Sequence, residues 1–265
     1  MPSGSGLDKQ TLKAEVDRLA LAAAGEWCPK GGWQFPFDFG DGIVAPTYSE
    51  TQRVMHPWRR DAMLALLDRH TGGRYEGLSV LDLGAGEGAM ALALWRRGVR
   101  DVTCVEVRPN NLEKAALVFR AFGASPTLVE ADVSGFLAHD ERQYDVVLFM
   151  GLLYHLLDPF NIVRMIGEKA RSAAVVETVI AKPQAVAFDN RSQYRPMEQA
   201  FYVRHDTVQS HTAGLCDLEL WPTRDALRLL LSHGGFADWR EAEYGADAPD
   251  WFVTGERTLG LAIKR

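Results

Sequence analysis

The chain has little cysteine. Cys28, Cys104 and Cys216 are widely separated, and none forms a CxxC or similar metal-binding spacing. They read as reduced thiols of a cytoplasmic protein, and no metal site is expected. Long apolar runs are also missing, since no stretch approaches the roughly 18 residues that a membrane span needs. The apolar segment Leu19–Ala24 is short and follows Asp8, Glu15 and Asp17, which does not fit a signal peptide. Basic runs stop at the pairs Arg59-Arg60 and Arg96-Arg97, and the formal net charge is −6. A nucleic-acid binder normally shows a basic face, so bulk charge argues against RNA or DNA while leaving a local patch open. There is no low-complexity tract and no internal repeat.

What is present is an ordinary globular composition: 265 residues, 47% apolar and 24% charged. That suits one large domain, or one domain with an added cap, with a core that needs no staples. Leu12, Val16 and Leu19 recur at helical spacing and predict a first helix to about Ala24. The stretch 25–47 places Trp27, Trp33, Phe35, Phe37 and Phe39 among glycines and prolines. It either packs onto the domain or lines a ligand pocket. Ser49 and Gln52 form a capping box for a second helix, with Val54, Trp58, Ala62, Leu66 and Leu67 as its buried stripe. Pro57 lies inside that pattern and either kinks the helix or delays its start.

From Leu78 the pattern turns to strand, loop and helix in alternation. Strands are predicted over Ser79–Leu83, Val102–Glu106, Thr127–Val129, Asp145–Met150 and Ala174–Val179. Helices are predicted over Ala89–Arg97, Asn111–Phe122 and Pro159–Lys169. Such alternation implies an α/β fold whose parallel sheet is covered by helices on both faces. Residues 180–221 break the rhythm and read as an insertion over the carboxyl ends of the strands, where open α/β sheets bind ligands. A helix over Thr223–Ser232 and strands near Ala237–Tyr244 and Thr258–Lys264 complete the chain. The expected division is an N-terminal helical and aromatic-loop cap over 1–72 and the α/β domain over 73–265.

The strongest local signal is Val80-Leu81-Asp82-Leu83-Gly84-Ala85-Gly86-Glu87-Gly88. A strand runs into a glycine turn and then a helix, and glycine lets the backbone approach a ligand closely. The same spacing fits a dinucleotide fingerprint. Charge separates the two readings. Asp82 and Glu87 oppose an anionic pyrophosphate but stabilise the sulfonium and ammonium groups of S-adenosylmethionine. Such a pair at 4 Å is worth about 4 kcal/mol at an effective dielectric of about 20, before desolvation. Glu106 ends the second strand, where a carboxylate accepts hydrogen bonds from ribose hydroxyls. Asp132 follows the third, placed to accept from an adenine amino group. Each alone also fits a turn or helix start; together they mark the ends of successive strands.

The order of these pieces resembles the class I (Rossmann-like) S-adenosylmethionine-dependent methyltransferases over about residues 79–179, and more loosely over the terminal helix and strands. The resemblance implies a seven-stranded, mostly parallel sheet with an antiparallel last strand. It implies that Asp82, Gly84, Ala85 and Gly86 meet the methionine part of the cofactor, Glu106 with Val107 the ribose, and Asp132 with Val133 the adenine, with Met150 near the sulfonium. Phe149-Met150-Gly151-Leu152-Leu153-Tyr154-His155 with Asp158-Pro159, Val175-Val176-Glu177-Thr178, and Trp221-Pro222-Thr223 leading to Gly235-Phe236 resemble more closely the branch that holds the tRNA wobble-uridine carboxymethyltransferases. In that branch the residue matching Tyr154 faces the transferred group, and Arg53 matches an arginine of the preceding helix. The acidic charge and the missing lysine partner for a carboxylated cofactor depart from it.

These features lead us to expect ordinary S-adenosylmethionine and a small-molecule acceptor, with tRNA modification as the alternative. His155 is the candidate base, against a role in capping or packing the next helix. Tyr154 orients acceptor or cofactor, or simply packs; Glu177 faces the acceptor, or is structural. Trp33, Tyr194, Arg195, Tyr202, His205 and His211 are the candidate acceptor contacts. Arg53 or Arg59 pairs with the cofactor carboxylate, or lies on a solvated helix face. His205-Asp206 with His211 lacks the compact spacing of a metal site. Partners beyond the acceptor are not expected, and the chain is a monomer or homodimer.

Overall fold

The structure is a computed structural model that describes residues 7–25, 28–182, 200–205 and 215–264. Trp27, Tyr194, Arg195, Asp206 and His211 lie outside the described residues. In chain order the elements are α1 (Lys9–Ala22), β1 (Asp38–Gly40), β2 (Ile43–Val44), α2 (Glu50–Thr71), β3 (Ser79–Leu83), α3 (Ala89–Arg96), β4 (Asp101–Glu106), α4 (Pro109–Phe122), β5 (Thr127–Glu130), α5 (Val133–His139) and β6 (Tyr144–Met150). A short 3₁₀ turn, Leu153–His155, follows. Then come α6 (Pro159–Lys169), β7 (Ala170–Val179), β8 (Phe201–His205), β9 (Leu218–Pro222), α7 (Arg224–His233), β10 (Phe236–Glu241), α8 (Asp250–Val253) and β11 (Arg257–Lys264).

Seven strands form one sheet in the order β10-β11-β7-β6-β3-β4-β5. β3, β4, β5, β6 and β7 run parallel, and β11 is inserted antiparallel between β7 and β10. The expected seven-stranded, mostly parallel sheet with an antiparallel last strand is therefore present. β3 is buried at every residue, as a central strand covered on both faces must be. The chain fills one side of β3 with β4 and β5, then returns to the other side with β6 and β7. This reversal opens a crevice beyond the carboxyl ends of β3 and β6.

Local chemistry sets the helix starts. Asp8, Ser49, Asp132, Asp158 and Thr223 each accept a hydrogen bond from a first-turn backbone N–H of the helix they precede. Pro57 lies inside α2, which continues to Thr71. The buried stripe of α2 differs from the expected one at its start: Val54 is exposed, while His56, Arg59, Met63, Leu66 and Leu67 are buried. The first turns of this helix line a cavity with Gln52, Met55, His56 and Arg59, while Met55 and Trp58 also pack against the core.

The aromatic segment packs into the core, which corrects the reading of Trp33 as an acceptor contact. Trp33 is fully buried, and its indole N–H donates to the Val16 carbonyl at 3.2 Å. It meets Phe37 and Phe39 edge-on, and Phe39 stacks on Phe122 of α4. These rings share one hydrophobic cluster with α1, α3 and α4.

Glu87 fastens this segment to the sheet. Its carboxylate accepts from the backbone N–H groups of Gln34 and Phe35 and from Lys114 Nζ at 2.9 Å. Lys114 also donates to the Gly32 carbonyl at 2.6 Å. Both side chains are essentially inaccessible. Glu87 therefore turns away from any ligand at the glycine turn, contrary to the sequence expectation. Burial outweighs Lys114 and holds its carboxyl above the usual range.

Removing one partner of such a pair leaves a charge stranded in the core. Lys114→Met is expected to cost about 3–5 kcal/mol in urea unfolding at pH 8. The loss should shrink as pH falls, because the Glu87 carboxyl, raised by burial and without its Lys114 partner, takes up a proton more readily.

Candidate active site

Two cavities open at the carboxyl edge of the sheet. The first, of about 570 Å³, is bounded by the loops after β3, β4, β5 and β6 and by the first turns of α2. The second, of about 700 Å³, lies between the 3₁₀ turn, the end of β7, the β8–β9 hairpin and the α8–β11 corner. Tyr154, His155, Trp251 and Arg257 line both and form the seam between them.

Gly84, Gly86, Glu106, Val107, Asp132, Val133, Met150, Tyr154 and His155, all singled out from sequence, line the first cavity. Gly86 has φ +56°, a conformation that favours glycine, and its N–H donates to Glu106 Oε2 at 2.9 Å. Glu106 Oε1 accepts from the N–H groups of Val107 and Arg108. The carboxylate is thus fixed by three backbone donors and keeps lone pairs for a ligand. Asp132 caps α5 through Oδ1, donated to by Gly135 N–H at 2.9 Å, and lines the same wall.

Asp82 and Ala85 stand behind that wall. The Asp82 side chain is buried beneath the glycine turn, and its Oδ2 has no hydrogen-bond partner. Burial and then the nearby Glu106 charge push its carboxyl up to about 7, against the pull of Arg59. Ala85 packs against the core while its N–H donates to the Val105 carbonyl.

Arg53 does not reach the cavity. It is exposed and pairs with Glu50 one turn away. Arg59 takes the place expected of it, buried on the cavity wall. Gln52, Met55, His56 and Arg59 line the first cavity together. They fall at successive positions of one helical face, a spacing that was present in the sequence. His56 is held neutral, its imidazole pushed well below its ordinary value by burial and by Arg59 and Arg257.

Glu177 is a correction of a different kind. It was expected to face an acceptor, yet it is wholly inaccessible and bound on both oxygens. Arg59 Nη2 donates to Oε2 and Arg257 Nε donates to Oε1. Burial raises its carboxyl, but Arg257 and Arg59 together outweigh that and keep it below the usual range. Gly151 makes room for the cluster: it has φ +78°, and a Cβ there would come within 2.9 Å of Arg59 Nη2. Arg257 Nη2 continues to Tyr154 Oη at 3.3 Å.

In the second cavity, His155 Nδ1 lies 3.3 Å from Glu219 Oε1, and Glu219 Oε2 accepts from the Trp221 indole N–H at 2.7 Å. The β8–β9 register sets Tyr202 opposite Trp221 and Arg204 opposite Glu219. Alternation along a strand puts these four on one face of the hairpin, and all four line the cavity. His205 falls on the other face, is exposed and lines neither cavity, which corrects its assignment. Glu219, Trp221, Trp251 and Arg257 were not singled out as site residues: the first two lie in the 180–221 insertion without a distinguishing pattern of their own, and nothing near Trp251 and Arg257 in sequence marks a site.

The first cavity suits an adenosyl ligand with a cationic end. Gln52 Oε1 and Asp82 Oδ2 are buried oxygens without partners, one on the wall and one behind it. Gln52 Oε1 is an acceptor and Asp82 Oδ2 becomes one on ionisation, which a nearby cationic donor such as an ammonium group favours. Arg59 supplies a guanidinium for a carboxylate on the same side.

Comparison with known proteins agrees with this geometry. Residues 80–174 match the family described as a methyltransferase domain. A ubiquinone biosynthesis O-methyltransferase of Caulobacter vibrioides is 28% identical over 169 residues, covering 62% of this chain and 60% of the relative. That of Caulobacter sp. (strain K31) is 31% identical over 157 residues, covering 57% and 56%. The match thus spans less than two thirds of either relative's length. Among solved structures, the N-terminal domain of EvdMO1 with SAH bound superposes with TM-score 0.70 at 21% identity, covering 98% of this chain and 99% of that one. A magnesium protoporphyrin IX methyltransferase of Synechocystis PCC 6803 with bound SAM gives 0.54 at 16%, covering 86% and 88%.

The raised Asp82 carboxyl has a consequence for the ligand-free protein. A carboxyl whose pKa is higher folded than unfolded loses stability as pH rises from about 4 through 7. Asp82→Asn removes that loss. Its melting temperature should exceed the wild type by at least about 2 °C at pH 8, and the gap should narrow steadily as pH falls to about 4.

Proposed function

We propose that this chain, which carries a class I S-adenosylmethionine-dependent methyltransferase domain, transfers a methyl group from S-adenosylmethionine to a small-molecule acceptor. The observation that supports this most is the first cavity, where the fixed Glu106 carboxylate and the partnerless oxygens of Gln52 and Asp82 surround the glycine turn. When bound there, the cofactor supplies an electrophilic methyl group on a good leaving group. Glu106 holds the ribose hydroxyls and Asp132 with Val133 the adenine. Arg59 holds the carboxylate end, and Gln52 with Asp82 answers the ammonium. Met150 and Gly151 border the space left for the sulfonium.

The second cavity takes the acceptor. Its shared wall of Tyr154, His155, Trp251 and Arg257 brings the two ligands together for in-line displacement. Alignment and exclusion of water account for much of the rate. His155 takes the proton of a hydroxyl or similar acceptor through its imidazole, with Glu219 beside Nδ1 favouring the charged form that results. Tyr154 orients the acceptor at the seam. Glu177 acts at one remove by holding Arg59 and Arg257.

The named relatives point to small acceptors, including a 1,6-didemethyltoxoflavin-N1-methyltransferase of Burkholderia thailandensis among the structural neighbours. The tRNA alternative rests on motif likeness alone. No described helix is long and apolar enough to cross a membrane. Cytoplasmic residence, a monomeric or homodimeric state, and division into a cap over 1–72 and a domain over 73–265 with the 180–221 insertion complete this reading.

Calorimetry with S-adenosylhomocysteine, NAD and tRNA tests it. S-adenosylhomocysteine should bind and the other two should not; NAD binding in its place overturns the assignment. With a turned-over acceptor in hand, His155→Gln should lower kcat by about 10²–10⁴ while leaving S-adenosylhomocysteine affinity intact.

A further inference from the structure

The charged and polar groups around the second cavity are unequally satisfied. Its two carboxylates each have a cationic or N–H neighbour. Glu256 lies 3.5 Å from Lys182, and Glu219 sits beside His155 and accepts from Trp221. The cations are less well matched. Arg257 and Arg59 share the single carboxylate of Glu177. Arg257 uses Nε on Glu177 and Nη2 on Tyr154. Among the described residues Arg204 has no carboxylate partner, and it lies over the Trp221 ring, 5.1 Å from its centroid. Tyr202 Oη is buried with no hydrogen-bond partner among the described residues. Arg257, Arg204 and Tyr202 line the same space, and all three can donate.

A buried polar group is ordinarily hydrogen-bonded, because an unpaired one is costly to hold away from water. The Tyr202 hydroxyl lacks such a bond, and the guanidiniums of Arg257 and Arg204 on the same cavity favour an anionic oxygen group as its partner. The remaining walls include the rings of Trp221, Trp251 and Tyr154. Planar rings on several sides favour a flat or ring-shaped body. Resting on the methyltransferase reading, we propose that the acceptor is a ring compound bearing a carboxylate, held as a recognition handle by Arg257, Arg204 and Tyr202. The handle is distinct from the atom methylated at His155. Arg257, Arg204 and Tyr202 are then specificity-determining residues.

Benzoate and benzamide, which match in shape and differ in charge, test this by ligand-observed NMR on the full chain with saturating S-adenosylhomocysteine. Benzoate should bind roughly tenfold tighter than benzamide. The preference should fall severalfold in Arg204→Gln, whose side chain is exposed, and in Tyr202→Phe, which removes a buried hydroxyl lacking a partner. Equal binding of the two probes, tighter binding of the amide, or binding of neither at millimolar concentration overturns the proposal. So does a preference unchanged in both variants. S-adenosylhomocysteine affinity, measured separately, keeps the two ideas apart. If it binds and benzoate is not preferred, only the acceptor class falls; if it does not bind, the methyltransferase reading falls.

Discussion

The Glu177 carboxylate holds the site together. It stands at the end of β7 and joins Arg59 from the second helix to Arg257 at the start of the last strand. These three elements are far apart in sequence and wall both cavities. A bare carboxylate this deep would be neutralised by desolvation; two guanidiniums keep it ionised. In return it orients both, so that Arg59 serves the first cavity and Arg257 the seam. The cluster carries one positive charge more than its carboxylate cancels. That surplus makes it a place for anions as well as a fastening.

A second buried pair, Glu87 with Lys114, does a separate job. It pins the N-terminal aromatic segment against α4 and against the end of the glycine turn. Gln34 is thereby carried to the edge of the first cavity. Carboxylates near the turn therefore divide between roles. Glu106 and Asp132 line the first cavity, Asp82 stands behind its wall, and Glu87 ties the aromatic segment to Lys114. Counting acids beside a glycine motif is informative about the cofactor only when their directions are known.

The two cavities arise from different parts of the architecture. The first comes from the reversal of strand order at β3, a property of the sheet itself. The second depends on the β8–β9 hairpin, a separate two-stranded addition, and on the α8–β11 corner at the start of an inner strand. Alternation puts Tyr202 with Arg204 and Glu219 with Trp221 on the hairpin face that lines the second cavity.

The sequence by itself determined the alternation of strands and helices, the glycine turn, and the acids ending successive strands, because these are local patterns repeated at short range. It also marked Tyr154 and His155 by their place after β6. It did not reveal that α5 forms, since seven residues are too few for a period to stand out. It misplaced Arg53, Trp33, His205 and Glu177, whose roles depend on which face of an element turns inward. Only the tertiary structure decided that, because burial and the meeting of Arg59 with Glu177, Glu177 with Arg257 and His155 with Glu219 arise from packing between segments distant in sequence. Charge type is written in the chain; charge direction is set when distant elements close around it.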